Sequence, residues 1–270
     1  MLFRSGIGNA LRTKLIKHHF TLFLNVALSV SSACLIYALL LKMAELALHI
    51  SVLHEAGYIC SMLFIIPGFP FITSGIDLSK LDLRSGLERL TYSVIIVLVA
   101  TMFAWIMALI LKLQPVDFIA IHLSTTALLI LRLLTSFCGV FGFSIMFNSP
   151  VPMAATAAAI GALANTLRLE LVDLAGLPPA AAAFIGALTA GLLASAIKQY
   201  NGYPRISLTV PSIVIMVPGL YLYRAIYNFG IMSLTEAVSW FAAAAMIIIA
   251  LPLGLIFARI LTDRTFRYCT

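Results

Sequence analysis

Long stretches of this chain carry no charge at all, and that limits its fold more than any other feature. From Phe20 to Leu41 the side chains are apolar apart from scattered hydroxyl, thiol and amide groups. Several further stretches of about 20 residues also lack charge, the length an α-helix needs to cross a hydrocarbon core of ~30 Å. With 62% apolar and 10% charged residues, the chain has more apolar surface than a soluble fold could hide. The short alternating segments of a membrane barrel are not visible. The expected fold is therefore all-α, a polytopic helical membrane protein with about eight transmembrane helices.

These spans fall near residues 20–42, 56–78, 90–112, 119–147, 150–167, 178–198, 206–228 and 236–260. The first is too long for the apolar core of a signal peptide and is expected to stay as a helix. Basic residues set the orientation. Of the 17 Lys and Arg, Lys42, Lys112, Arg168 and Arg224 fall opposite the N-terminus, Arg132 lies inside the fourth span, and the other twelve share the side of the N-terminus. Both termini are then cytoplasmic, and a multi-pass membrane protein is expected. The net charge of +7 is read as loop charge, so the partner is a lipid bilayer and not nucleic acid.

Two spans are interrupted by the same dipeptide, Pro67-Gly68 and Pro218-Gly219. A broken helix frees backbone N–H and C=O groups, which membranes tolerate only against protein or a water-filled cavity. Interrupted spans at matching places in two halves point to a transporter's binding site. The match extends downstream, since Asp77 and Asn228 each follow their proline by ten residues. The charge count makes the two spans run in opposite directions, as in an inverted repeat. Pro67 and Pro218 are the structural breaks, and simple kinks are the alternative. A helix restarting after the break suits a carboxylate, and the carbonyls before it suit an ammonium group or a cation.

The candidate substrate-binding residues are Gly68, Thr73, Ser74, Asn165, Gly219, Tyr221, Arg224 and Asn228, and Asp77 is the candidate for proton coupling. Each has a plainer reading. Thr73 and Ser74 can bond to carbonyls of their own helix. Arg224 can reach to the outer interface, tyrosines are ordinary interfacial anchors, and Asp77 can be a solvated helix-end residue. Spans five and six are rich in Ala and Gly, which suits close helix packing. No nucleophile-base set, phosphate-binding loop or cofactor motif is present, so neither an enzyme nor a cofactor is expected. Cys34, Cys60, Cys138 and Cys269 lack metal-ligand spacing and read as packing residues. The five histidines lie mostly at span ends, and no metal is expected.

Phe137–Phe147, Ala180–Leu193 and Ile213–Arg224 resemble the second membrane domain of the threonine/serine exporter family. Ile65–Leu90 resembles the end of that family's first membrane domain, a pattern filled here by Pro67, Gly68, Asp77, Leu78, Gly86, Arg89 and Leu90. The resemblance implies a secondary, proton-coupled exporter of small amino acids, threonine or serine, in a bacterial inner membrane, working by alternating access around the two broken helices. It assigns 1–115 to the C-terminal part of the first domain and 116–270 to the second. The family has two five-helix halves, so two spans and a soluble region of the N-terminal part are expected to be missing. In related systems the halves are separate subunits, and some are linked to dicarboxylates. A succinate-like dicarboxylate exporter and a non-transporting subunit that needs a partner chain are the alternatives. A homo-oligomer or a partner membrane subunit stays open.

Overall fold

A computed structural model describes residues 2–48, 55–112 and 123–267. His49, His54, His122 and Cys269 lie outside the described residues. The described residues form helices and connecting turns without a strand. In chain order the helices are α1 (Leu2–Lys17), α2 (Leu22–Leu48), α3 (Glu55–Met62), α4 (Gly68–Ser79), α5 (Leu83–Ile110), α6 (Thr125–Met146), α7 (Val151–Asp173), α8 (Pro179–Asn201), α9 (Arg205–Val214), α10 (Gly219–Gly230), α11 (Leu234–Thr262) and α12 (Arg264–Arg267).

Among the described residues five helices, α2, α5, α6, α8 and α11, are long and apolar enough to cross a membrane, or six if α9 and α10 count as one span. The chain is a polytopic helical membrane protein, as its charge-free runs require. Helix α7 matches α8 in length, at 23 residues each. Its second half carries Asn165, Arg168, Glu170 and Asp173, which lower its hydropathy. It continues beyond residue 167, where the fifth span was expected to end, so Arg168 lies in a helix instead of a loop. The basic segment ahead of the first span is also helical, as α1.

The chain divides into two compact units. Unit 1 takes the described residues of Met1–Pro67, Thr91–His122 and Gly219–Ala242. Its core joins Val30 and Cys34 of α2, Met62 of α3, and Ala100 and Ala104 of α5. The small side chains on α5 let Tyr58 come close, and its hydroxyl donates to the Ala104 carbonyl at 2.6 Å. Tyr37 and Tyr223 meet the Tyr58 ring edge-on, with centroids 6.0 and 6.2 Å away. Such pairs add to packing where the hydrophobic effect contributes little between helices.

Unit 2 takes the described residues of Gly68–Leu90, Leu123–Pro218 and Ala243–Thr270. Helix α7 is at its centre, with Ala154, Ala157, Ala158, Gly161 and Ala164 buried. It pairs with α6 in antiparallel rungs: Arg132 with Glu170, Ser136 with Asn165, and Val140 with Gly161. The α6 partners are four residues apart, so they share one helix face. A Cβ at Gly161 would lie 2.6 Å from Val140 Cγ2 and 2.8 Å from the Ser212 carbonyl oxygen. Glycine thus lets α7 touch the backbone of α9 directly. Gly254 does the same for α11 and α8, where a Cβ would lie 2.5 Å from the Phe184 carbonyl oxygen.

Candidate functional site

Helix α3 ends at Met62 and α4 starts at Gly68, while α9 ends at Val214 and α10 starts at Gly219. Pro67 and Pro218 stand just before the restarts, and each lacks an N–H and disfavours helical geometry in the residue before it. The turns before the two prolines are closed alike. Ile65 and Ile66 donate to the Met62 and Leu63 carbonyls at 3.1 and 3.2 Å, and Met216 and Val217 donate to Ile213 and Val214 at 2.9 and 3.2 Å. Counted from the proline, donors and acceptors hold the same positions.

The likeness continues at the far ends of α4 and α10. Leu81 and Asp82 donate to the Leu78 and Asp77 carbonyls at 3.1 Å each, and Met232 and Ser233 donate to Phe229 and Asn228 at 3.2 and 2.9 Å. Leu81 and Met232 are left-handed, with φ of 63° and 62°. Each helix therefore ends in the same left-handed cap, which satisfies carbonyls of its last turn and also closes α1 at His19 and α6 at Asn148.

Close approach follows the same pattern inside each unit. In unit 2 a Cβ at Gly68 would lie 3.0 Å from Val214 and 3.4 Å from Val217. In unit 1 a Cβ at Gly219 would lie 2.7 Å from Ile66 and 2.9 Å from Leu63. In each unit a helix N-terminus meets the turn that ends another helix.

Cations lie beside both turns. In unit 2 the Arg168 Nη1 donates to the Met216 carbonyl at 3.3 Å and to Asn165 Oδ1 at 3.5 Å. Asn165 Nδ2 in turn donates to Ser136 Oγ at 2.9 Å, and both side chains are buried. In unit 1 the Arg12 Nη1 donates to the Phe64 carbonyl at 3.5 Å. Each guanidinium serves a carbonyl that lies outside regular helix. One turn further along the α6–α7 pair, Arg132 bridges Glu170, at 2.7 Å, and Asp173. Reading the sequence placed Asn165 here but missed Arg168 and Arg12, both counted as loop cations. One signal was available: Asn165 and Arg168 are three residues apart, which puts them on one helix face.

The remaining candidates have other partners. Thr73 Oγ1 donates to the Phe69 carbonyl at 3.0 Å, and Ser74 Oγ to Phe71 at 2.7 Å, both within α4. Asn228 Nδ2 donates to the Arg224 carbonyl of its own helix at 2.8 Å. Arg224 lies over the Trp240 ring, 4.7 Å from its centroid, and Tyr221 meets the same ring edge-on at 5.3 Å. Asp77 Oδ2 lies 2.9 Å from Arg89 Nη1, with Asp77 the more buried of the pair. Among the described residues no group of three His, Cys, Asp or Glu could hold a metal ion.

Comparison with known families decides what kind of protein carries this arrangement. The model described as Threonine/Serine exporter, ThrE, matches residues 132–261, and a second threonine/serine exporter model matches residues 1–112. The chain belongs to the threonine/serine exporter family. No curated protein and no solved structure gives a significant match. In this exporter the first matched region holds Arg132, Asn165, Arg168 and Pro218-Gly219, and the second holds Arg12, Pro67-Gly68 and Asp77.

Proposed function

We propose that this exporter moves threonine or serine by proton-coupled secondary transport, alternating access around the helices interrupted at Pro67-Gly68 and Pro218-Gly219. The observation that carries the reading is Arg168, held on the Met216 carbonyl beside the buried Asn165–Ser136 pair. A guanidinium exchanges a carbonyl for a substrate carboxylate with gain, because a charge-assisted forked pair is the stronger bond. The carbonyl it releases is then open to the substrate ammonium. Asn165 and Ser136 can hydrogen-bond a side-chain hydroxyl, and buried polar groups built for a hydroxyl reject analogues that lack it. Asp77 carries the coupling proton, with Arg89 as its partner when ionised.

The matching turns before Pro67 and Pro218 support an inverted repeat, with α3–α4 and α9–α10 each forming one interrupted span among eight. The two family matches, over 1–112 and 132–261, support membrane domains over 1–115 and 116–270. Membership of the exporter family supports a bacterial inner membrane, and the bias of basic residues supports both termini in the cytoplasm. Purified protein in liposomes loaded with labelled threonine tests the reading. Efflux above empty liposomes, faster for threonine than for valine, is expected. Efflux of succinate without threonine would overturn it, and export only after a second membrane protein is added would make the chain a subunit.

A further inference from the structure

At the end of unit 2 where α9 begins and α11 finishes, a cavity of about 1050 Å³ opens. Its wall is split by chemistry. Leu192, Ile206 and Leu255 give it an apolar floor, while Lys80, Arg205, Arg259 and Arg264 line it with positive charge. Two of the arginines are fixed in place. Arg205 donates to Thr262 Oγ1 at 2.9 Å and to the Gly191 carbonyl at 3.3 Å, so its hydrogen bonds go to neutral oxygens. Arg259 lies over the Phe266 ring, 4.0 Å from its centroid. The one carboxylate in the lining, Asp263, faces Arg259 at 3.4 Å and accepts from the Phe266 N–H at 3.3 Å.

Location and charge limit what this cavity can take. Arg205 opens α9 and Thr262 closes α11, an apolar helix long enough to span, so the basic rim lies at the level of lipid headgroups. A zwitterionic amino acid would need an acidic partner for its ammonium, and Asp263 already faces Arg259. The volume is also at the top of the ~300–1,000 Å³ usual for small-ligand sites. A phosphate with attached acyl chains matches both walls, as basic pockets between membrane helices do for anionic headgroups.

We propose that this cavity is a binding site for an anionic phospholipid, its phosphate among Lys80, Arg259 and Arg264 and its acyl chains along Leu192, Ile206 and Leu255. The site is separate from the Asn165–Arg168 cluster and does not depend on the identity of the exported solute.

The test uses the purified full chain in neutral detergent, with phosphatidylglycerol, phosphatidylcholine or inorganic phosphate added. Bound lipid is counted by native mass spectrometry, and the unfolding midpoint is followed in parallel. Phosphatidylglycerol is expected to stay bound and raise the midpoint, while phosphatidylcholine and inorganic phosphate do neither. Lys80 and Arg264 are exposed, so the pair K80Q/R264Q should fold and bind phosphatidylglycerol about thirtyfold more weakly, roughly fivefold per charge. The charge-keeping pair K80R/R264K should bind as the parent does. Equal binding of phosphatidylcholine, an equal effect of inorganic phosphate alone, or unchanged affinity in K80Q/R264Q would each overturn the assignment.

Discussion

The Arg168 guanidinium donates to the Met216 carbonyl at 3.3 Å. Met216 lies in the turn after α9, where Pro218 has no N–H to continue the helix. The carbonyl that loses a helical donor at Pro218 is that of Val214, which accepts from the Val217 N–H instead, while Met216 takes its donor from a side chain of α7. Threonine efflux should fall at least roughly tenfold in Arg168→Ala, the scale expected when a charge-assisted bond is lost. Arg168→Lys should recover little, because an ammonium cannot make the forked pair. Initial rates in proteoliposomes, normalised to folded protein, measure this, and parental rates in both variants would remove Arg168 from substrate binding.

Asp77 and Arg89 form a half-exposed pair at 2.9 Å. Such a pair adds little to stability, so Asp77→Asn should leave the unfolding midpoint almost unchanged. If Asp77 carries the coupling proton, the same variant should still exchange threonine across the membrane but no longer respond to an imposed pH gradient. A pH-driven rate equal to the parent's would take Asp77 out of that role.

Gly161 and Gly254 touch backbone, which cannot rotate away. A Cβ at Gly161 meets the Ser212 carbonyl at 2.8 Å, and one at Gly254 meets the Phe184 carbonyl at 2.5 Å and the Leu188 nitrogen at 2.9 Å. Alanine at either position should destabilise the protein by about 1–3 kcal/mol, the usual scale of overpacking. Gly68→Ala should cost less, because its nearest neighbours are the ends of valine side chains. Thermal unfolding in detergent ranks the three, and an equal loss at all three would contradict the backbone argument.

Leu81 and Met232 hold left-handed backbone at the ends of α4 and α10, and both side chains are exposed. Glycine adopts that geometry without the steric penalty of a Cβ. Leu81→Gly and Met232→Gly should each stabilise the protein by roughly 1 kcal/mol. Equilibrium unfolding measures the gain, and a loss at both sites would mean that the side chains contribute more than the strain they cause.

Much of the helical layout can be read along the chain, because its causes are local. A charge-free run long enough for the bilayer can satisfy its backbone only as a helix, which places α2, α5 and α11. Pro67 and Pro218 stand just before helix restarts, and each disfavours helix locally through its own ring and missing N–H. Other features were misjudged because their causes are not local. Arg168 follows the expected end of the fifth span at residue 167, yet α7 continues to Asp173 with Arg132 bridging Glu170 and Asp173. Arg12 was counted as a loop marker, and the close approach of α1, where a Cβ at Gly8 would lie 2.6 Å from Phe64, was invisible in a list of residues.

The candidate site divides in the same way. That the chain is membrane-spanning and that Asn165 follows a run of Ala and Gly were determined by sequence, since each depends on residues a few positions apart. Which donor meets which carbonyl was decided only by the tertiary structure. Arg168 reaches Met216 because small residues on α7 let α9 come within backbone contact at Gly161. Thr73 and Ser74 instead donate to carbonyls inside α4. The exact partner of a polar group in a membrane protein depends on how closely helices distant in sequence can pack, and that distance is set by side-chain volumes on both sides of the contact.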